Sequence, residues 1–273
     1  MTKHREEGYS GRRSSIIELQ RGGPKPPLFV VYPDIFSDFI RHLDSDLPVY
    51  GLMGLELVGR QPLQRRIEDR AAFYVEEIQS VQATGPYFIS GRCIGGFVAF
   101  EIAQQLRSKG QEVALLALFN TPSPFLVRFS TLHDYVINFV REVSLLDENV
   151  LRWGSKQKLM YVVWQLAYKA YLSIDSFRPG ARKNNDNYRA IRKYSPNVYT
   201  GQILYFFASD TRARFFYGRE WGWHILAAGG LEIHVVPGTT ASMMREPHVR
   251  FLADKLRSKL NELHPAPSKT RSE

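Results

Sequence analysis

Apolar residues along this chain fall into short runs separated by longer amphipathic stretches. "PLFVVYP" (27–33) and "PVYGLMG" (48–54) are compact runs bounded by proline or glycine, the signature of buried strands. "IEDRAAFYVEEIQSVQ" (67–82) instead spaces Ile67, Ala71, Tyr74, Ile78 and Val81 by three or four, which predicts a helix with one apolar face. A third strand, "PYFISG" (86–91), leads into the helix "GGFVAFEIAQQLRSKG", stopped at Gly110, and "EVALLALFN" (112–120) is a fourth strand.

From 125 to 198 the alternation lapses into helical, aromatic-rich patterns carrying Tyr135, Phe139, Trp153, Trp164, Tyr168 and Tyr171. It resumes with a strand at 201–210, a helical piece at 218–228, a strand at 231–238 and a last helix at 245–262. Strands alternating with helices predict an α/β fold, a mostly parallel sheet covered on both faces, with the helical block inserted as a cap over one end. The domain is expected over 27–262, after a flexible leader (1–26) that ends in "RGGPKPP" and before a disordered tail (263–273).

Composition narrows the class. With 273 residues, 44% of them hydrophobic, the chain favours one large domain and excludes general disorder. Cys93 is the only cysteine, so no intramolecular disulfide can form and a reducing cytoplasm is the expected compartment. The first residues are polar and lack the apolar core of a signal peptide. The most apolar long stretch, 159–174, is interrupted by Lys169. It falls short of the roughly 20 residues a membrane span needs. The net charge of +9 is scattered over several short basic clusters without a nucleic-acid motif. It reads as solvated surface, with attraction for an acidic partner as the alternative.

The candidate chemistry centres on "GRCIGG" (91–96). A strand, a sharp turn with glycines two positions either side of one residue, and a helix make a nucleophile elbow. Cys93 holds the reactive position, where a helix N-terminus favours a thiolate. A small buried core residue is the alternative, and the flanking glycines argue against it.

The chain resembles the thioesterase family of the α/β-hydrolase superfamily, whose members release acyl chains from carrier proteins in nonribosomal peptide and polyketide synthesis. The likeness runs from residue 15 to 262 and is carried by "IIELQRGGPKPPLFVVYP", "DLPVYGL", "IEDRAAFYVEEIQSVQATGPYFISG", "GGFVAFEIAQQL" and "LAAGGLEIHVVPG…SMMREPHVRFLA". It implies an α/β-hydrolase fold with the 125–198 block as a helical lid over the acyl channel. No cofactor is implied; the substrate arm would be the phosphopantetheine of a carrier protein, in trans or fused upstream.

Carried over residue by residue, the resemblance makes Cys93 the nucleophile. The acid position, which reads like "LLDTP" in the family, is "LFNTP" here, so Asn120 stands there. Other members place the acid after the next strand, and Asp210 fits that alternative. An ordinary turn aspartate is the competing reading of Asp210. The ending "PGDHYSMLREPHV" becomes "PGTTASMMREPHV", leaving Thr239 for the aspartate and Thr240 for the histidine base. Threonine has no useful titration near neutral pH. His248 matches a helix histidine that the family keeps for other reasons. A base borrowed from His42, His133 or His224 is conceivable, although each reads better as a surface or packing histidine.

The oxyanion hole would use the N–H of Ile94 and one from the loop after the first strand, Asp34 or Ile35. Arg92 would favour an anionic group, a lid salt bridge being its alternative. No metal site is expected. Three functions follow: thioester hydrolysis or acyl transfer through Cys93, a non-catalytic carrier-binding subunit, or a repurposed fold acting on a small acid.

Overall fold

A computed structural model describes residues 15–54, 66–124, 187, 189–210 and 220–263. Seven strands form one sheet, in the order β1 (Ile16–Gln20), β3 (Val49–Leu52), β2 (Leu28–Val31), β4 (Tyr87–Arg92), β5 (Val113–Phe119), β6 (Ile203–Ala208), β7 (Leu231–Val236). β1 pairs antiparallel with β3 and every other pairing is parallel. The α-helices are α1 (Ser37–Arg41), α2 (Ile67–Val81), α3 (Ile94–Ser108) and α4 (His248–Leu263), among the described residues that carry named elements.

The two-residue period of a strand sends neighbouring side chains to opposite faces, and both faces are buried here. Phe29, Val31, Ile89, Leu116, Leu118, Tyr205 and Phe207 pack on one side with α2 and α3. Leu28, Val30, Phe88, Leu115, Phe119, Leu204 and Phe206 pack on the other with α1 and α4. That double cover explains why the strands read as continuous apolar runs instead of alternating ones.

Two expectations change. Residues 16–20, assigned to a flexible leader, form edge strand β1. Only one side of this strand finds a partner, and its half-exposed pattern hid it among polar neighbours. The helical piece at 218–228 is, over the described residues 220–228, a single 3₁₀ turn at Trp223–Ile225. Positive φ at Trp221 and Gly222 precedes that turn and Gly230 follows it, which prevents a longer helix. Of the lid expected over 125–198, residues 125–186 and 188 lie outside the described residues, as does the expected tail from 264 onward.

Candidate active site

The parallel strands β2, β4, β5 and β6 carry their C-terminal ends to one edge of the sheet, and the candidate residues follow those ends. Cys93 links β4 to α3 at φ 50° and ψ −120°, a strained conformation for a side chain with a Cβ. Its N–H donates to Phe119 O at 3.3 Å, its carbonyl accepts from Gly96 N–H at 3.1 Å, and its side chain is exposed. The glycines follow from close approach. A Cβ on Gly91 would collide with the Gly95 carbonyl, and one on Gly95 would sit 2.7 Å from the Val31 carbonyl. β4, α3 and the end of β2 therefore meet tightly under the cysteine. Ile94 opens α3, so its N–H has no intrahelical acceptor. Asp34 and Ile35 lie in a 3₁₀ turn (Pro33–Ile35) directly after β2, both exposed, beyond a left-handed Tyr32.

Asn120 and Thr240 come together. Asn120, 2% exposed at the end of β5, receives the N–H of Ala208 on its Oδ1 at 3.1 Å. With the oxygen fixed, the amide nitrogen must face the other way, and it donates to Thr240 Oγ1 at 2.6 Å. The Asn120 N–H, at φ 43°, is held by Phe206 O. Arg92 reaches the same turn, donating from Nη1 to the Thr240 carbonyl at 3.0 Å. Burial lowers the Arg92 pKa from its ordinary value, and the neighbouring Cys93 opposes that shift.

Asp210 does not join this cluster. Its carboxylate accepts from Ser209 Oγ at 2.7 Å in an exposed turn, while its N–H bonds to Gly238 O. Thr239 is engaged with Ser242: its N–H donates to Ser242 Oγ at 2.8 Å. His42 bonds Glu246 at 2.6 Å, and His224 bonds the exposed Glu220 at 2.9 Å. The His248 ring lies against Gly238 at the start of α4. His133 lies outside the described residues. Among the described residues no group of three or more acidic, histidine or cysteine side chains is placed to hold a metal.

One feature escaped the sequence. Glu101, on α3, is mostly buried and bonded to Tyr194 Oη at 2.6 Å and Gln105 Nε2 at 2.9 Å. Burial raises its pKa, the bonds from Tyr194 and Gln105 pull it down, and Glu68 adds to the rise. A charged residue between Phe100 and Ile102, inside an apolar helix face, was the available signal.

The thioesterase domain family model matches residues 26–260, most of the chain. The chain belongs to the thioesterase domain family. It is 25% identical over 260 residues to Malpibaldin synthetase of Mortierella alpina, covering 90% of this chain and 4% of the relative. It is 35% identical over 117 residues to the dimodular nonribosomal peptide synthase of Bacillus subtilis, covering 41% of this chain and 5% of the relative. The chain therefore spans a small fraction of these curated relatives. Among solved structures, a four-domain nonribosomal peptide synthetase bound to AMP and glycine superposes with a TM-score of 0.67 at 23% identity. That match covers 95% of this chain and 21% of that one. The NocB thioesterase domain of the nocardicin cluster, in a covalent fluorophosphonate complex, gives 0.60 at 21%, covering 90% and 99%. These likenesses show an α/β-hydrolase-type thioesterase fold. Among the described residues no helix is long and apolar enough to cross a membrane.

Proposed function

We propose that this thioesterase domain accepts acyl or peptidyl groups from the phosphopantetheine arm of a carrier protein onto Cys93, and hydrolyses them slowly. The observation that supports this most is the neutral Asn120–Thr240 hydrogen bond at the positions where the family resemblance places acid and base. A site without an imidazole there favours steps that need no proton shuttle.

Loading is such a step. The Cys93 thiolate, having released its proton to solvent, adds through Sγ to the thioester carbonyl, and the carbonyl pair moves onto oxygen. The N–H of Ile94 and that of Asp34 or Ile35 are the donors offered to that oxyanion. Collapse breaks the carbon–sulfur bond to pantetheine, whose thiolate takes up a proton from solvent. One thioester replaces another, so the exchange is nearly balanced. Water is a poor nucleophile unless a base removes its proton, help worth about 10²–10⁴-fold. An amine loses less, because thioesters acylate amines more readily than oxyesters do. The product is then an amide or a transferred acyl group more readily than an acid, within the secondary metabolism of the synthetases that this domain resembles. The carrier is a separate partner or lies upstream in a longer chain.

The same neutral pair favours a second reading, a carrier-binding subunit without turnover. Intact-mass measurement after mixing with acyl-pantetheine thioesters separates the two. A persistent adduct that Cys93→Ala abolishes is the expected result. Turnover indifferent to Cys93→Ala overturns the proposal, and carrier binding without an adduct establishes the second reading.

A further inference from the structure

Arg92 is the last residue of β4, yet its guanidinium is bonded to the carbonyl of Thr240, beyond β7. β5 and β6 separate those strands in the sheet. The side chain therefore runs along the C-terminal sheet edge, from beside Cys93 toward the turn that holds Thr240. A guanidinium is a planar fork of five N–H donors, permanently charged and matched to a carboxylate. The Thr240 carbonyl engages one nitrogen, and among the described residues no carboxylate pairs with the group. The side chain is also half-buried, away from full hydration. A half-buried cation on the residue beside an exposed cysteine, with N–H groups that no described residue engages, is suited to receive an anion near a reactive centre.

We propose that Arg92 is a specificity-determining residue, selecting acyl groups that carry a carboxylate a few bonds from the thioester carbonyl. The carboxylate is gripped by the free edge of the guanidinium while the carbonyl meets Cys93. This inference rests on the acyl-transfer reading above.

The test compares succinyl-pantetheine with butyryl-pantetheine, a four-carbon pair differing in the carboxylate, by the rate of adduct formation on the full chain. Spontaneous breakdown of each thioester is subtracted using Cys93→Ala. Wild type is expected to load succinyl at least about tenfold faster, in line with a charge-assisted hydrogen bond. Arg92→Gln, which keeps an amide donor for Thr240, should erase that preference, bringing the succinyl-to-butyryl rate ratio to about one. Arg92→Lys, a point charge without the fork, should retain part of it. Loss of both rates in parallel, or an unchanged ratio, overturns the inference and leaves Arg92 a brace for the turn. The unreactive amide analogues of both substrates are titrated in parallel. An Arg92-dependent preference in their binding sustains the inference even if acyl transfer fails, and equal binding overturns it.

Discussion

Asn120 donates to Thr240 Oγ1 at 2.6 Å because its own oxygen is already committed to the Ala208 N–H. A carboxylate in the same place would keep the backbone bond on one oxygen and turn an acceptor toward residue 240. A histidine at 240 would offer that acceptor an N–H, the arrangement that orients an imidazole and stabilises its cation. The buried position and the Ala208 N–H would suit a hydrogen-bonded carboxylate at residue 120.

Installing a carboxylate at 120 and an imidazole at 240 should therefore accelerate hydrolysis. Asn120→Asp with Thr240→His is expected to raise the turnover of a short acyl-pantetheine thioester by about 10²-fold or more over wild type. Thr240→His alone should gain less, because an amide donor turned toward the ring cannot stabilise the imidazolium. Thiol release followed by absorbance measures both. A double variant no faster than wild type would show that residues 120 and 240 do not stand where a working acid and base would stand.

Asp210 is the competing acid, and its carboxylate is turned to Ser209 in an exposed loop. Asp210→Asn should leave adduct formation and turnover within about twofold of wild type, as surface changes away from special features usually do. A tenfold loss, measured by intact-mass kinetics, would return the acid role to this residue.

The sheet and its cover were legible because burial on both faces makes each strand a short apolar run and each helix a periodic one. Leu28–Val31, Ile67–Val81 and Tyr87–Arg92 lie within or beside their expected spans for that reason. β1 was not, since "IIELQ" is half exposed and precedes a stretch rich in glycine and proline. Within the site, glycine spacing and the strand-to-helix change marked the elbow, a local property of six residues. The partnership of Asn120 with Thr240 spans 120 positions, and that of Glu101 with Tyr194 spans 93. Local pattern carries no information about such contacts. The first could be anticipated only through family resemblance, and the second not at all. The direction of the Asn120 amide needed the Ala208 N–H in three dimensions.

Cys93 should be held in its strained turn at a cost in stability. At φ 50° and ψ −120° glycine is at ease and a residue with a Cβ is not. Cys93→Gly is expected to stabilise the fold by about 1–2 kcal/mol, a rise in Tm of a few degrees, while abolishing the adduct. Cys93→Ser should keep wild-type stability yet lose loading by about 10²-fold or more, because a hydroxyl depends on a base far more than a thiol does. Calorimetry and intact-mass kinetics on the two variants check the pair. A serine variant that loads like wild type would reveal a base that none of the residues around Thr240 supplies.

Glu101 gives stability a pH dependence of defined sign. Burial raises its folded pKa above the unfolded value, so the native state holds its proton more tightly than the unfolded chain. Stability must then fall as pH rises from the unfolded pKa through the folded one, and stay lower above both. Glu101→Gln removes the titration and keeps an acceptor for the Tyr194 hydroxyl. It should flatten that fall and make the variant relatively more stable at neutral pH than at pH 4. Tyr194→Phe removes one of the hydrogen bonds that stabilise the ionised carboxylate. It should cost about 1.5–3 kcal/mol at neutral pH and less under acid conditions. Urea titrations at several pH values measure both effects. An identical pH profile in Glu101→Gln and wild type would mean that the carboxyl titrates as it does in the unfolded chain.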